Sequence, residues 1–320
     1  MQLSTMRAPE GLRQGLRSTQ VTYAKLAGVA SYLPPDERTS EDVEARIRAA
    51  SPGLMVPTGI IERTTGIRTR RFVADGVYSS DLASAAARRV LAQTQTDPED
   101  VDLLIFASTS QDLTEPATAN IVQSNIGTQG TVFDLKNACN SFLNALQVAD
   151  SLICSGAYKT ILITVGETGS RAVNWAMGGR SSFKRNFIGY TVGDAGAAAV
   201  LTASTEAPSI LHQAFLTKSN HWNLSTIPGG GSRHPRGDEY SYFDSDGAGL
   251  RDAFLDIGPS IVRDALEATG TTFDDFSRVL FHQVSVPALD DFVRVTGIPR
   301  EKVVLTVPEH GNVAAASMPL

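Results

Sequence analysis

The sequence has little cysteine, with only Cys139 and Cys154 among its 320 residues. Two cysteines cannot form the disulfide framework of a small secreted domain, and a predicted helix between them keeps them apart. A reducing, cytoplasmic location is therefore predicted. Neither a CxxC nor an HxxxH pair occurs, so the sequence predicts no metal site.

Long apolar runs and an excess of positive charge are also lacking. No apolar run has the roughly 18 residues that a membrane span needs, which argues against membrane insertion. The net charge of −6 argues against general binding to nucleic acid. It does not exclude an anionic small molecule or an acidic carrier protein that meets a local basic cluster. Three such clusters occur, although a solvated loop is the simpler interpretation of each: Arg68, Arg70 and Arg71; Lys184 and Arg185; Arg233 and Arg236.

The overall amino-acid composition is typical of a globular protein, with 42% of the residues hydrophobic and 19% charged. A chain of 320 residues is long for one domain and sufficient for two. Residues 1–20 contain three arginines and one acidic residue, which weakly resembles a transit peptide. We interpret them as an N-terminal arm that precedes the folded part.

Apolar strand patterns alternate with helical periodicity along the folded part. This alternation predicts an α/β protein with a mostly parallel sheet that is covered by helices. Strands are predicted at residues 21–29, 101–108, 131–135, 160–165, 191–201, 210–217, 278–282 and 302–307. Helices are predicted at residues 41–50, 81–93, 116–126, 141–155, 253–268 and 286–296, and residues 62–71 form a loop that leads to a short strand.

Cys139 lies at the joint between a predicted strand and a predicted helix. The strand TVFDL ends at Leu135, and apolar residues recur at three- and four-residue steps from Ser141 onwards. The free N–H groups and the positive dipole end of such a helix favour a thiolate. A strand-to-helix turn also exposes a side chain to substrate, as in a nucleophile elbow. Cys139 is therefore a candidate nucleophile, and a small buried hydrophobic residue is the alternative interpretation.

The sequence contains a weak internal duplication. Residues 99–142, moved by 175 positions, fall without a gap on residues 274–317. The aligned identities are few: Asp100 with Asp275, Phe106 with Phe281, Ser110 with Ser285, Thr131 with Thr306, Val132 with Val307 and Asn137 with Asn312. The shared strand–helix–strand–helix order at one constant offset indicates two copies of a βα unit, packed face to face.

This duplication brings three residues to one predicted crevice. Cys139 starts the helix of the first copy, Asn312 lies at the equivalent joint of the second, and His282 ends the preceding strand. A pseudo-twofold axis between the copies would bring these strand ends together, where open α/β sheets bind ligands. The first copy continues through a further helix and two strands to about residue 201, so we expect the second half to be truncated at its C-terminus.

Five short motifs resemble those of the ketoacyl synthase III group, the beta-ketoacyl-ACP synthase III-like condensing enzymes of the thiolase superfamily. They are TGIRTRR at 65–71, NACNSF at 137–142, GDAGAAAV at 193–200, FHQVS at 281–285 and HGNVAAASMP at 310–319. The resemblance covers the chain from Val21 to Leu320. It implies a thiolase-like α/β fold with two pseudo-duplicated βα halves in a layered α-β-α-β-α arrangement. The N-terminal half, residues 21–205, carries the nucleophilic cysteine, and the C-terminal half, residues 206–320, carries the histidine and the asparagine.

The same resemblance implies an acyltransferase of the ketosynthase type with a triad of Cys139, His282 and Asn312. Its pathway would be fatty acid biosynthesis, or polyketide or other secondary metabolism. Cys139 would be acylated by an acyl thioester. His282 and Asn312 would then hold a malonyl thioester during a decarboxylative Claisen condensation. The resemblance further implies acyl-CoA and acyl carrier protein as substrates, no bound cofactor, and a homodimer.

Departures from the family pattern leave other reactions open. Thr64 stands where many members have an arginine that stacks on the adenine of coenzyme A, and Asn140-Ser141 replaces small residues after the cysteine. The loop QDLTEP at 111–116 resembles the branch that joins two acyl-CoAs head to head, in which a glutamate from the neighbouring subunit is the base. Glu115 occupies that place. The alternative interpretation is that Glu115 is an ordinary exposed loop carboxylate. Acyl transfer to a hydroxyl or amine, and a non-catalytic partner in a heterodimeric synthase, are the remaining hypotheses.

Overall fold

The structure is a computed structural model that describes residues 21–320; the predicted N-terminal arm, residues 1–20, lies outside the described residues. The strands are β1 (Tyr23–Tyr32), β2 (Asp36–Thr39), β3 (Thr69–Phe72), β4 (Leu103–Ala107), β5 (Thr131–Leu135), β6 (Thr160–Thr168), β7 (Asp194–Ser204), β8 (Ser225–Thr226) and β9 (Asp244–Ser245). The α-helices are α1 (Ser40–Ala50), α2 (Ile60–Thr65), α3 (Ser79–Thr94), α4 (Thr118–Ile126), α5 (Ser141–Cys154), α6 (Arg180–Arg185), α7 (Gly247–Ile257), α8 (Ser260–Thr269), α9 (Val286–Thr296) and α10 (Val307–His310). No helix in this range has both the length and the apolar character needed to cross a bilayer.

Five strands form one mixed sheet in the order β1-β7-β6-β4-β5. β4 is parallel to β5 and β6, whereas β7 is antiparallel to β6 and β1. Because β1 is antiparallel to β7, four of the five strands run in the same direction and only β7 runs against them, so the sheet is mostly parallel, as predicted. Thr168 at the end of β6 faces Asp194 at the start of β7, so the connection between them returns at the same end of the sheet. A connection of that kind gives an antiparallel pair, because a parallel pair requires a crossover to the opposite end.

Helices cover both faces of this sheet because successive strand residues point to opposite sides. On one face, Leu104 and Phe106 of β4 pack in a cluster with residues of α3 and α4. On the other face, Leu103 and Ile105 pack with α5. All five residues of β4 are buried, as expected for a central strand that is covered on both sides. The sheet and its helices thus form three of the predicted layers.

α5 lies between the sheet and the second half of the chain. Its apolar face, which includes Phe142 and Ala145, is buried in the same cluster as Val313 and Ala315. The helix begins and ends close to the predicted positions, and Gly156 follows it with a left-handed φ of 76°. This packing fixes the first turn of α5 against the segment that carries the predicted asparagine.

The TGIRTRR motif joins the two halves. The backbone N–H of Arg68 donates to the carbonyl of Pro308, with an N···O distance of 2.7 Å. Arg70 is fully buried and donates to the hydroxyl of Ser40 and the carbonyl of Tyr190, each at 3.2 Å. Burial lowers the pKa of Arg70 to about 10. The motif therefore stabilises the fold, because its hydrogen bonds connect the β3 region to α10.

The second half does not form the regular strands that were predicted at 210–217, 278–282 and 302–307. The last two segments meet in one parallel bridge between Val279 and Val303. In the first copy, by contrast, β4 is hydrogen-bonded on both sides, to β5 and to β6. That bridge is the only strand pairing of 278–282 within residues 21–320, and a two-stranded pair has little stability of its own. The predicted strand at 302–307 also stops short, because residues from Val307 onwards form α10.

The helix predicted at 253–268 is two helices, α7 and α8. Gly258 has a φ of 72° and ends α7, and Pro259 follows it immediately before α8 begins. Proline lacks an N–H group and its ring excludes a continuous helix, so the chain changes direction at this pair. α9 forms over the predicted range, and its Leu289 and Val293 pack with Val303. The division of the chain at residues 205 and 206 stays a prediction.

Candidate active site

Cys139 lies in the turn between β5 and α5, two residues before the helix begins. The hydroxyl of Ser141 holds this turn: it donates to the Ala138 carbonyl at 2.7 Å and accepts from the Asn137 N–H at 2.9 Å. Ala138 has a φ of +48°, a left-handed conformation that is strained for a residue with a side chain. The predicted position of Cys139, just before the first helical turn, is confirmed.

The thiol of Cys139 is free and half-buried. Burial and the negative charge of Glu167 raise the pKa of Cys139 to about 12, and the backbone N–H of Cys139 only partly offsets them. The prediction that the helix start favours a thiolate is therefore wrong, because burial disfavours the charged form. Cys139 rests as a neutral thiol at pH 7 and must lose its proton as it attacks.

His282 is half-buried and lies between the bridge residue Val279 and the start of α9 at Val286. Its Nδ1 atom lies 3.0 Å from the hydroxyl oxygen of Ser317. Burial lowers the pKa of His282 to about 4, and the backbone of Ala314 acts weakly in the opposite direction. The imidazole is therefore neutral at pH 7. One of its ring nitrogens carries a hydrogen, and the other can accept a proton.

Asn312 is buried and directly follows Gly311 at the end of α10. Its backbone N–H donates to the Thr191 carbonyl at 2.8 Å, and its own carbonyl accepts from the Gly193 N–H at 3.0 Å. The side-chain Oδ1 accepts from the N–H of Ala314 at 3.0 Å. This bond identifies the oxygen of the carboxamide. It leaves the two Nδ2 hydrogens as the donors that the side chain can offer to a ligand.

The predicted residues of the second half meet on one short segment, residues 312–317. Asn312 begins this segment, and Ser317 at its other end contacts His282. Between them, the backbone of Ala314 bonds the Asn312 side chain. One stretch of six residues therefore orients both candidate donors.

Glu167, at the C-terminal end of β6, is a candidate functional residue that the sequence analysis missed. It is fully buried and accepts hydrogen bonds from the Thr109 N–H at 2.8 Å, the Ser110 hydroxyl at 3.1 Å and the Ala315 N–H at 3.3 Å. Burial raises the pKa of Glu167. Glu167 therefore links the end of β4 to segment 312–317. The sequence does contain a signal for Glu167, which is an acidic residue directly after an apolar run at the carboxyl end of a predicted strand.

Glu115 lies in the loop between β4 and α4, three residues before that helix begins. Its side chain is exposed. The single chain therefore presents this carboxylate to solvent, away from the buried groups around Glu167. A role in which Glu115 reaches the site of a neighbouring subunit stays a prediction.

The predicted basic clusters are largely occupied by partners within the chain. Arg71 pairs with Glu37 at 2.7 Å, and Arg185 pairs with Asp244 at 2.5 Å. Arg68 likewise forms an ion pair, with Glu309 of α10. These three arginines stabilise local structure, which agrees with the simpler interpretation of the clusters.

Two clefts open on the surface away from the predicted site residues. The larger, of about 600 Å³, includes Arg46, whose guanidinium carbon lies 4.0 Å from the ring centre of Trp175. The smaller, of about 400 Å³, lies beside it and shares Asn174 and Tyr242. Neither cleft is lined by a member of the predicted triad.

Two family models match the chain in the order that the motifs predict. The model of 3-oxoacyl-[acyl-carrier-protein (ACP)] synthase III matches residues 133–219. The model of the C-terminal domain of the same synthase matches residues 266–320. The first match includes Cys139, and the second includes His282 and Asn312.

Solved structures of this kind align with both halves. The 3-oxoacyl-[acyl-carrier-protein] synthase III of Aquifex aeolicus VF5 is 29% identical, with a TM-score of 0.79 over 92% of this chain and 88% of that chain. Xanthomonas campestris OleA, in a cysteine-to-serine variant with bound lauric acid and lauroyl-CoA, is 26% identical, with a TM-score of 0.82 over 93% of this chain and 88% of that chain. These alignments confirm the predicted thiolase-like α/β fold. The chain belongs to the ketoacyl synthase III-like condensing enzymes of the thiolase superfamily.

Proposed function

We propose that this protein is an acyltransferase that loads an acyl group on Cys139 and joins it to a malonyl thioester by decarboxylative Claisen condensation. The observation that carries this proposal is that segment 312–317 orients a neutral imidazole and a carboxamide with unassigned donors. The same segment packs against the start of α5, which begins two residues after the Cys139 thiol. The proposed carriers are coenzyme A and acyl carrier protein, and the proposed working form is a cytoplasmic homodimer.

In the first step, the sulfur of Cys139 attacks the carbonyl carbon of an acyl thioester. A new S–C bond forms, the C–S bond of the donor breaks, and the acyl group is stored on the protein. The thiol must lose its proton as it attacks, because its pKa is about 12. That proton passes to the departing thiolate of the carrier, which leaves as a free thiol.

In the second step, the malonyl thioester loses carbon dioxide and becomes an enolate whose negative charge lies on the thioester oxygen. The Nδ2 hydrogens of Asn312 and the ring N–H of His282 are suited to donate to this oxygen. The α carbon then attacks the acyl group, a C–C bond forms and the S–C bond to Cys139 breaks. The released thiolate takes up a proton, which restores the resting thiol.

A second candidate is the head-to-head condensation of two acyl-CoAs without decarboxylation. The similarity to OleA favours it, together with the loop QDLTEP and its Glu115. Solved OleA structures include variants of a histidine and of a glutamate, which are the residue types of His282 and Glu115. In this reaction Glu115 of a neighbouring copy removes a proton from the α carbon of one acyl group.

Intact-mass measurement after incubation with a panel of acyl-CoAs tests the acylation step. We expect one acyl adduct in the wild type and in Cys154→Ala, and none in Cys139→Ala. Cys154 is the matched control because it is the other free cysteine and lies at the far end of α5. The absence of any adduct in the wild type would overturn the proposal in favour of a non-catalytic partner subunit.

Incubation of the acylated protein with labelled malonyl thioester separates the two condensations. Release of labelled carbon dioxide together with a longer acyl product supports the decarboxylative reaction. A product from acyl-CoA alone, with no carbon dioxide, supports the head-to-head reaction. In that case Glu115→Ala should lose the product and keep the Cys139 adduct, whereas Glu99→Ala, another exposed acidic loop residue, should keep both.

A further inference from the structure

Glu167 is a buried carboxylate with hydrogen bonds to both halves of the chain. From the first half it accepts bonds from the Thr109 N–H, the Thr109 hydroxyl and the Ser110 hydroxyl. From the second half it accepts a bond from the Ala315 N–H at 3.3 Å. Thr109 and Ser110 follow the end of β4, so the carboxylate lies where the strand ends of the first half meet segment 312–317.

We propose that Glu167 is a positioning residue of this site, which fastens segment 312–317 to the first half. This inference rests on the proposed function for its link to condensation. The fastening itself can be measured without any acyl substrate.

Glu167 can fasten the segment because it accepts hydrogen bonds from N–H groups of both halves of the chain. The N–H groups of Thr109 and Ala315 both point to Glu167 Oε1. A buried N–H group without an acceptor costs roughly 1–3 kcal/mol, so the bond to Ala315 favours one position of its segment. Asn312 and Ser317 lie three and two residues from Ala315. A shift at Ala315 therefore moves both the Asn312 donors and the contact of Ser317 to His282.

Two substitutions test the fastening. In Glu167→Gln, the amide oxygen can still accept from the Thr109 and Ala315 N–H groups, and the amide nitrogen can donate to the hydroxyl oxygens of Thr109 and Ser110. The fastening is therefore kept. In Glu167→Ala, the acceptors are removed and the fastening is lost.

The first test is amide hydrogen exchange of segment 312–317, measured without substrate. In Glu167→Ala the Ala315 N–H loses its acceptor, so we expect its exchange to become faster, whereas Glu167→Gln keeps an acceptor and should exchange like the wild type. The matched control is Glu44→Ala, which removes another buried carboxylate bonded to two backbone N–H groups, those of Gly59 and Ile61. It should leave exchange at Ala315 unchanged.

The second test compares condensation with Cys139 acylation. We expect Glu167→Gln to keep most of the condensation rate, and Glu167→Ala to lose it by about ten- to a hundredfold through misplaced donors. Unchanged exchange at Ala315 in Glu167→Ala, or equal loss of condensation in both variants, would overturn the fastening. If Glu167→Ala fails to fold, Glu167→Asp, whose side chain is one methylene shorter, takes its place in both tests. A wild type that forms no acyl adduct would remove the proposed function but leave the exchange result intact.

Discussion

The Nδ1 atom of His282 lies 3.0 Å from the hydroxyl oxygen of Ser317, a residue on the same short segment as Asn312. A serine hydroxyl can donate or accept, so the direction of this hydrogen bond follows the tautomer of the ring. When Ser317 donates to Nδ1, the hydrogen lies on Nε2 and is available to a developing oxyanion. The histidine and the asparagine are therefore oriented by one stretch of chain.

Replacing Ser317 by alanine should impair condensation more than acylation. The variant loses the hydroxyl that holds Nδ1 of His282, and we expect the condensation rate to fall about three- to tenfold. The Cys139 adduct should still form. Ser155→Ala is the control, since that exposed hydroxyl donates only to a backbone carbonyl at the end of α5. Equal loss in both variants would contradict the assigned role of Ser317.

Asn312→Asp tests the donor role of the carboxamide with little change in size. The aspartate oxygen can still accept from the Ala314 N–H, but the Nδ2 hydrogens are replaced by a second acceptor. We expect condensation to fall by about a hundred- to a thousandfold, as when one oxyanion donor is removed. Intact-mass measurement should still detect the acyl adduct on Cys139. Asn220→Asp, on an exposed residue, should change neither step.

The local part of the site could be predicted from the sequence because it depends on short-range patterns. The change from strand to helical spacing around residues 135–141 located the turn that holds Cys139. The constant offset between the copies paired that turn with Asn312 and put His282 before it. Regular α5 and α9 also follow from periodicity, since their apolar faces recur at helical spacing.

The protonation state of Cys139, the direction of β7 and the absence of two predicted strands depend on long-range contacts, which a local sequence pattern does not contain. The sign of the pKa shift of Cys139 is set by burial and by Glu167, a residue 28 positions away. The antiparallel placement of β7 is set by the end of the sheet at which its connection returns. The segments at 278–282 and 302–307 have strand-like sequences, but a strand also needs neighbours to pair with.

Acid should destabilise the wild type through His282. The pKa of His282 is about 4 in the folded protein and about 6.5 when the chain unfolds, so the unfolded state binds the proton more readily. Stability is then complete above pH 6.5 and falls as the pH is lowered towards 4, by about 3 kcal/mol for this group. Asp194 acts in the opposite direction, because burial raises its pKa to about 6 in the folded protein.

The contribution of His282 is isolated by comparing the wild type with His282→Gln, which cannot titrate at this position. Urea unfolding at intervals between pH 7 and pH 4 gives the stability of each protein. We expect the difference between the two to shift in favour of the variant as the pH falls, since Asp194 and the other carboxylates are common to both. Parallel curves would contradict the low pKa of His282.

Gly193→Ala should damage both stability and condensation, because Gly193 lies where the chain passes closest to α10. Its N–H donates to the Asn312 carbonyl at 3.0 Å, and a Cβ atom built on it would lie 2.1 Å from the carbonyl oxygen of His310. Relief of that clash must push backbone against backbone, which we expect to cost about 1–3 kcal/mol in the free energy of unfolding. Because the displaced backbone carries Asn312, the condensation rate should fall as well.

Gly178→Ala is the matched control, since a Cβ atom at Gly178 meets nothing within 4 Å. Urea unfolding and condensation assays on both variants check the prediction, and a Gly193→Ala protein as stable and active as Gly178→Ala would show that α10 and β7 are not held this closely.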